Sequence, residues 1–314
     1  MSTIMTVLGP ISSQSLGFTS IHEHLFLDLT RDTANNDSVL NDIELCYREL
    51  MRYKESGGVS LIDQTTASLR GHDHDLLEDN HAVAVRKMAE KTGLNIILGA
   101  GWYREPYYEK KLYRMKTDEI ADELINDIKI GIDGTDVKAG ILGEIGSHFT
   151  WISPVEERVF RAVARAHNHT GVSIATHAVK SPVGLDQLDI LKHEGVNLKR
   201  VIIGHCQSYP HFEYHSEIAK RGAFVSFDRL GTTNAYEHEI DLKIIKNMID
   251  AGLIKYILFG QDVCRKPDYY AYGGKGYAYI SGDLVLELNK LGITAEQIKQ
   301  ITVDNPRRAL TGLD

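Results

Sequence analysis

Residues 18 to 25 read Phe-Thr-Ser-Ile-His-Glu-His-Leu, an apolar run that ends in two histidines. In a β-strand, side chains two residues apart point to the same face, so His22 and His24 would project into one space. Such a pair is half of a metal-chelating site. The spacing alone is weak evidence, because the chain has 14 histidines and repeats the pattern at His72 and His74. Those two lie in a polar segment with no adjacent strand, and we interpret them as solvated loop histidines.

Short apolar runs alternate with longer amphipathic ones along the chain. Eight runs are typical of buried strands, at residues 18–25, 59–65, 94–100, 137–145, 172–177, 200–205, 223–228 and 256–262. Apolar residues at helical spacing occur at residues 38–56, 79–91, 117–132, 153–169, 183–193, 214–221, 237–251 and 294–310. Strands that alternate with helices pair in parallel, and strands covered on both faces are uniformly apolar. We therefore predict an α/β fold, a (β/α)8 TIM barrel, as one domain spanning residues 1–314.

Two local signals define helix boundaries. Ser153, Pro154 and Glu156 have the pattern of a capping box, and Gly171 is expected to end the helix that they begin. Near the end of the chain, residues 294–310 are expected to form one or two short closing helices, with a break at Asn305-Pro306.

Six polar residues fall where predicted strands end, which is the end of a barrel that carries the chemistry. They are His22, His24, Glu144, His177, His205 and Asp262. A single strand-end histidine is more often structural than a ligand, and a single aspartate is more often a helix cap. Six such residues at corresponding strand ends favour a metal site instead. Six ligands are more than one tetrahedral zinc binds, but they suit two metals about 3.5 to 4 Å apart, with Glu144 as the bridging carboxylate.

Composition and charge exclude several other classes. Hydrophobic residues make up 43% and charged residues 25%, which are ordinary values for a globular protein. The net charge of -8, with both signs interspersed, argues against a nucleic-acid partner. Three widely spaced cysteines favour reduced cytosolic thiols. Because the sequence has neither a signal-peptide pattern nor a run of about 18 apolar residues, we predict a cytoplasmic protein without a membrane partner.

These residues give the chain a resemblance to the phosphotriesterase family of the amidohydrolase superfamily. The matching pieces are His22-Glu23-His24, Lys138-Ala139-Gly140, Glu144-Ile145-Gly146, Thr176-His177, Gly204-His205, Asp228-Arg229, Asp262 and Thr302-Val303-Asp304-Asn305-Pro306. The resemblance implies a binuclear metal hydrolase with two divalent cations, zinc being favoured over manganese or cobalt. His22, His24 and Asp262 would hold the buried metal, and His177 and His205 the more exposed one.

The resemblance also bears on three residues near the predicted metals. Many relatives bridge the metals with a carbamylated lysine, whereas Glu144 resembles the bridge of the phosphotriesterase homology subgroup. Tyr103 and Arg229 resemble positions that lactone-hydrolysing relatives use around the substrate, which would make them catalytic residues beside Asp262. The alternatives are a packed aromatic at the barrel mouth for Tyr103 and an ion pair with a neighbouring carboxylate for Arg229.

We therefore predict a hydrolase that cleaves an ester-type bond, with a lactone favoured, by attack of a metal-bridging hydroxide. Asp262 would accept a proton and pass it to the leaving alkoxide. Two alternatives remain: an organophosphate-hydrolysing phosphotriesterase, and a binding homologue without catalysis. Relatives are often homodimers, so a homodimer is one alternative for the assembly.

Four cations on the loops after the seventh and eighth predicted strands suggest an anionic small-molecule substrate. They are Arg229, Arg265, Lys266 and Lys275. If these side chains converge beyond the metals, they would bind a phosphate or carboxylate, as on a phosphorylated or acidic sugar lactone. The alternative is a solvated charged loop.

Overall fold

The computed structural model describes residues 2–70 and 76–313. Its main sheet has eight strands, which pair in the order in which they occur in the sequence. All neighbouring strands run parallel. The strands are β1 (Thr19–Glu23), β2 (Ser60–Asp63), β3 (Asn95–Ala100), β4 (Ile141–Gly146), β5 (Ile174–His177), β6 (Val201–Gly204), β7 (Phe224–Phe227) and β8 (Ile257–Phe259). Seven of them fall within the predicted runs, and β4 extends one residue beyond its run, to Gly146. His72 and His74 lie outside the described residues.

The last strand returns to the first, which closes the sheet. Just beyond β8, the Asp262 amide donates a 3.0 Å hydrogen bond to the carbonyl of His22 in β1. Gly260 permits this approach, because a Cβ at that position would lie 3.0 Å from the His22 backbone nitrogen. The predicted (β/α)8 barrel is therefore confirmed.

Helices follow the strands and cover the outside of the barrel. They are α1 (Ile43–Glu55), α2 (His81–Thr92), α3 (Thr117–Lys129), α4 (Pro154–Thr170), α5 (Val183–His193), α6 (Phe212–Lys220), α7 (Ala235–Asp250), α8 (Asp283–Lys290), α9 (Ala295–Lys299) and α10 (Asn305–Thr311). A single helical turn at Thr30–Thr33 lies in the loop after β1. None of the helices in residues 2–70 and 76–313 is long and apolar enough to cross a membrane.

The capping prediction for α4 is confirmed. The Ser153 hydroxyl accepts a hydrogen bond from the Glu156 amide at 3.2 Å, and the Glu156 carboxylate accepts one from the Ser153 amide at 2.9 Å. Gly171 follows the helix with a left-handed φ of 73°.

The predicted break at Asn305-Pro306 is wrong. A π-helical turn, Gln300–Asp304, connects α9 to α10, and Asn305 itself has helical backbone angles. Pro306 lies in the first turn of α10, directly after the π-helical turn.

Apolar side chains fill the amino end of the barrel. Each strand contributes one of them: Ile21, Ile62, Ile97, Ile141, Ala175, Ile202, Phe224 and Leu258. Ile4, from an antiparallel hairpin (Thr3–Thr6 with Gly9–Ser12) that was not predicted from the sequence, and Leu310 of α10 pack beneath this layer. A second short pair, Leu27–Asp28 with Val39–Leu40, lies beyond β1. With the amino end filled, the open end of the barrel is the carboxyl end.

Candidate metal centre and substrate cavity

Glu144 lies at the centre of the carboxyl end, between two pairs of histidines. Its Oε1 is 3.6 Å from Nε2 of His24, and its Oε2 is 3.7 Å from Nε2 of His22. On the other side, Oε2 is 3.5 Å from Nε2 of His205 and 2.9 Å from Nδ1 of His177. All five side chains are buried. The strand ends therefore bring the predicted residues together around one carboxylate.

Among the described residues, three groups of donor atoms are close enough to hold a metal ion. One is His22, His205 and Asp228, and the other two, the candidate ligand sets, share Glu144. One set is His22, His24 and Glu144; the other is Glu144, His177 and His205, with the donor atoms of each set within 4.8 Å of one another. Asp262 adjoins the first set, with its Oδ1 3.4 Å from Nε2 of His24. Imidazole nitrogens and carboxylate oxygens of this kind suit zinc and similar divalent ions.

Asp228 orients two of these histidines from behind. Its two carboxylate oxygens lie 3.0 Å from Nδ1 of His22 and 2.9 Å from Nδ1 of His205. Both Nε2 atoms are thereby turned toward Glu144. Nε2 of His22 is buried without a hydrogen-bond partner among the described residues, as expected for an atom that binds a metal.

The other two histidines are fixed in the same way. Nδ1 of His24 lies 2.9 Å from the Thr65 hydroxyl, and Nε2 of His177 lies 3.2 Å from the Tyr103 hydroxyl. Each of the four histidines thus presents one ring nitrogen to Glu144 and has a hydrogen-bond partner on the other. A second shell of this type is characteristic of metal-binding histidines, so the residues fit a pair of metals bridged by Glu144.

The close approach of these histidines and carboxylates shifts their pKa values. Burial lowers the pKa of His22, but the Asp228 carboxylate, together with Glu144 and Asp262, outweighs burial and raises that pKa to about 9. Burial raises the pKa of Glu144, but the adjacent His177 and other histidines hold it well below its usual range. Asp228 is likewise kept ionised, because His205 and His22 outweigh the effect of burial on its pKa. The carboxylates of the site are therefore ionised, which is the form in which a carboxylate binds a divalent metal.

Arg229 forms an ion pair with a neighbouring carboxylate, which was the alternative to a catalytic role in the sequence analysis. Its Nη1 donates to Oδ2 of Asp262 at 2.8 Å and lies 2.9 Å from the Cys264 sulfur. Burial raises the pKa of Asp262, but a hydrogen bond with His24 and the charge of Arg229 lower it well below its usual value. Arg229 therefore keeps Asp262 ionised and oriented.

A cavity of about 600 Å³ opens above these residues. Its floor includes His24, Glu144, His177, His205 and Asp262, whereas the buried His22 does not line it. Tyr103 and Arg229 form part of the wall, so both predicted catalytic residues border the space that a substrate would occupy.

Only some of the predicted substrate-binding cations reach this cavity. Arg265 lines it, but Lys266 and Lys275 do not. The Lys275 ammonium lies 5.3 Å from the centre of the Tyr279 ring. The loop is held there because Glu49 of α1 accepts hydrogen bonds from the amides of Tyr270 and Ala271, at 3.1 and 3.0 Å.

Two other cations line the cavity, and neither was assigned a role from the sequence. Arg104 follows β3, pairs with Asp32 and lies 4.8 Å from the Phe149 ring centre. Lys180, three residues beyond His177, has a left-handed φ of 61°. Asp228 belongs to the Asp228-Arg229 motif, but no function was predicted for it from the sequence. Its position directly after β7 is the same signal that identified the other six residues.

Three comparisons place the chain among known proteins. Residues 2–310 match the Phosphotriesterase family. A solved phosphotriesterase homology protein from Escherichia coli, with phosphate in its active site, has 31% identity and a TM-score of 0.88, covering 94% of this chain and 98% of its own. A lactonase from Listeria monocytogenes has 28% identity and a TM-score of 0.87, covering 100% of both chains. The N-acetyltaurine hydrolase of Dictyostelium discoideum is 27% identical over an alignment of 370 positions that covers 98% of this chain and 97% of its own.

The family match spans nearly the whole barrel, including every strand that contributes to the candidate metal centre. Together with 31% identity over 94% of the chain, it shows that the protein belongs to the phosphotriesterase family and is a hydrolase of that family.

Proposed function

We propose that the protein is a binuclear metal-dependent hydrolase that opens a lactone or cleaves another carboxylic ester. The observation that carries this proposal is the position of Glu144, which belongs to both candidate ligand sets. One carboxylate with two histidines on each side is the arrangement that a pair of bridged metals requires. The lactonase of Listeria monocytogenes, which matches the chain over its full length, supports the lactone.

Two divalent cations bound at these residues would supply a hydroxide nucleophile at neutral pH and polarise the substrate carbonyl. Asp262, kept ionised by Arg229, is positioned to accept a proton at its carboxylate and transfer it to the leaving alkoxide. Tyr103 holds the ring of His177 in orientation and borders the substrate.

The substrate that best fits the cavity carries an anionic group. Arg265 and Lys180 both line the cavity, and neither side chain forms an ion pair with a carboxylate among residues 2–70 and 76–313. The phosphate bound in the active site of the Escherichia coli relative supports an anion close to the metals. A lactone with a phosphate or carboxylate would satisfy these cations.

Metal analysis followed by a lactone and ester screen tests the proposed reaction. We expect about two equivalents of divalent metal per chain, turnover of at least one lactone, and loss of that turnover in Asp262→Asn. Zinc is the favoured metal, and manganese and cobalt should be compared with it. If the metal-loaded protein binds two equivalents but hydrolyses nothing in the panel, the ester assignment is wrong.

The proposed preference for an anionic substrate is tested by Arg265→Ala, with Lys275→Ala as the matched control on the same loop. A charge-assisted hydrogen bond contributes roughly 1.5 to 3 kcal/mol, so Arg265→Ala should lower kcat/KM about ten- to a hundredfold for an anionic lactone. A neutral lactone of the same ring size should be affected little by either variant. Equal losses for charged and neutral substrates would show that Arg265 does not bind the anion.

An amide is the second candidate substrate. The Dictyostelium discoideum relative is an N-acetyltaurine hydrolase, and N-acetyltaurine is an amide that carries a sulfonate. The same cations would bind a sulfonate. N-acyl amino sulfonates therefore belong in the screen, and turnover of these without lactones would favour the amide.

A further inference from the structure

Glu23 is the last residue of β1 and lies between His22 and His24, with its side chain on the opposite face of the strand. It is fully buried and does not line the substrate cavity. Its Oε1 accepts hydrogen bonds from the Ser20 hydroxyl and from the amide of Gln261 at 3.1 Å. Its Oε2 accepts one from the amide of Val263 at 3.2 Å. One carboxyl group therefore bonds the two residues on either side of Asp262.

This contact lies where β8 meets β1, beyond the last residue of β8. Asp262 itself has a left-handed φ of 48°, which is uncommon for a residue other than glycine. Its own amide donates to the His22 carbonyl at 3.0 Å. Three consecutive amides, at residues 261 to 263, are thus all bonded to the end of β1, two of them through Glu23.

We propose that Glu23 is a positioning residue for Asp262. By holding both flanking amides, it fixes the turn that places the Asp262 carboxylate 3.4 Å from Nε2 of His24 and 2.8 Å from Arg229. This inference rests on the proposed function, in which Asp262 binds a metal and accepts a proton. Glu23 does not line the cavity, and its side-chain hydrogen bonds within residues 2–70 and 76–313 go to Ser20, Gln261 and Val263 and not to a candidate metal ligand. Its side chain therefore reaches the metal site through the turn that carries Asp262.

Glu49 provides a matched control for a purely structural role. It is also a buried glutamate, 2% exposed, and it also accepts hydrogen bonds from two backbone amides of the segment after β8. Those amides belong to Tyr270 and Ala271, which lie eight and nine residues beyond Asp262. Glu23→Gln and Glu49→Gln therefore remove the same kind of contact at different distances from the metals.

The experiment compares Co²⁺ titration, kcat, KM and Tm for the two variants and the unmodified protein. Each glutamine turns an NH2 group toward a buried N–H, so we expect both variants to lose Tm. Only Glu23→Gln should weaken one of the two Co²⁺ equivalents and lower kcat, each by about ten- to a hundredfold, as other supporting residues of metal ligands do. KM should change little, because Glu23 does not border the substrate.

Equal metal affinities in the two variants would overturn the proposal, whatever happens to Tm. If Glu23→Gln does not fold, Ser20→Ala replaces it, since this change removes one donor to Glu23 and leaves the carboxylate in place. Ser20→Ala must then weaken the same Co²⁺ equivalent, and a change in Tm alone would contradict the inference. The Co²⁺ titration does not depend on turnover, so failure of the lactone assignment would be seen separately.

Discussion

The two ends of the barrel use the same eight strands for different purposes. At the amino end, each strand contributes an apolar side chain to one layer that the hairpin and α10 seal from below. At the carboxyl end, a few residues further along, the strands present buried histidines and carboxylates whose charges oppose one another. The difference teaches that stability and chemistry are separated along the strands, so that substitutions at one end should leave the property of the other unchanged.

Phe224→Ala at the amino end should cause the largest change. Removing a fully buried phenylalanine costs about 3 to 5 kcal/mol of unfolding free energy. Urea unfolding measures the loss, while metal content and kcat/KM at 25 °C should be unchanged. Leu286→Ala, at a side chain that is 59% exposed, is the control and should change stability by less than about 0.5 kcal/mol. A parallel fall in kcat/KM would show that the two ends are coupled.

Glu144→Gln at the carboxyl end should have the opposite signature. We expect kcat/KM to fall by more than about a hundredfold, which is the upper limit for residues that only support a metal ligand. Both metals should be lost together, because both candidate ligand sets contain Glu144. Metal analysis after gel filtration checks this expectation. Retention of one full equivalent would mean that the residue does not bridge.

Asp228→Asn should have a smaller effect of the same kind. The amide can accept from only one of His22 and His205, so one ring loses its orientation. Metal affinity should fall about ten- to a hundredfold, as measured by chelator competition. Asp189→Asn, which disturbs a surface ion pair with Arg221, is the control and should leave the affinity as it is. An unchanged affinity in Asp228→Asn would indicate that Glu144 alone orients the two rings.

Lowering the pH should reduce the folding stability through histidines at both ends of the barrel. This change in stability is the smallest of the predicted effects. Burial lowers the pKa of His167, beside β5 at the amino end, and of His215, which donates to the Cys206 carbonyl near the carboxyl end. Below the ordinary pKa of 6.5, the unfolded chain binds protons that the folded protein does not. The stability that these residues confer is therefore complete above pH 6.5 and is lost as the pH falls.

Each of these histidines can contribute at most about 1.4 kcal/mol per pH unit to the decline. Urea midpoints at pH 7, 6 and 5 for His167→Gln and His215→Gln measure it, and each variant should show a shallower decline than the unmodified protein. If only one slope changes, the neutral histidines at the two ends do not contribute equally.

The amino-acid sequence predicts the barrel and the centre of the site well, for a common physical reason. Strands in a parallel barrel are short and apolar, so a polar residue that follows such a run is easily recognised. His22, Glu144, His205 and Asp262 were found by this signal, and Asp228 satisfies it too. The structure brings these side chains together, and their role as metal ligands stays a prediction.

Loop cations could not be placed in this way. Whether Lys275 or Lys180 faces the cavity depends on contacts with distant parts of the chain, such as the Glu49 carboxylate that anchors the loop after β8. The hairpin at Thr3–Ser12 was missed because its strands mix polar and apolar residues and lack the continuous apolar run that identified the barrel strands. The continuous path through Asn305 was missed because a π-helical turn has no clear sequence signature.

The junction of β8 with β1 has a consequence for how the protein matures. Glu23 and Val263 are 240 residues apart, so the position of Asp262 depends on one of the longest-range contacts in the chain. Contacts of this kind form late, because closing so long a loop is entropically costly. A chain emerging from the ribosome carries its first two histidines long before the aspartate that completes the site is synthesised. The proposed hydrolysis would therefore require the last strand to have reached the first, because Asp262 takes its position only at that junction.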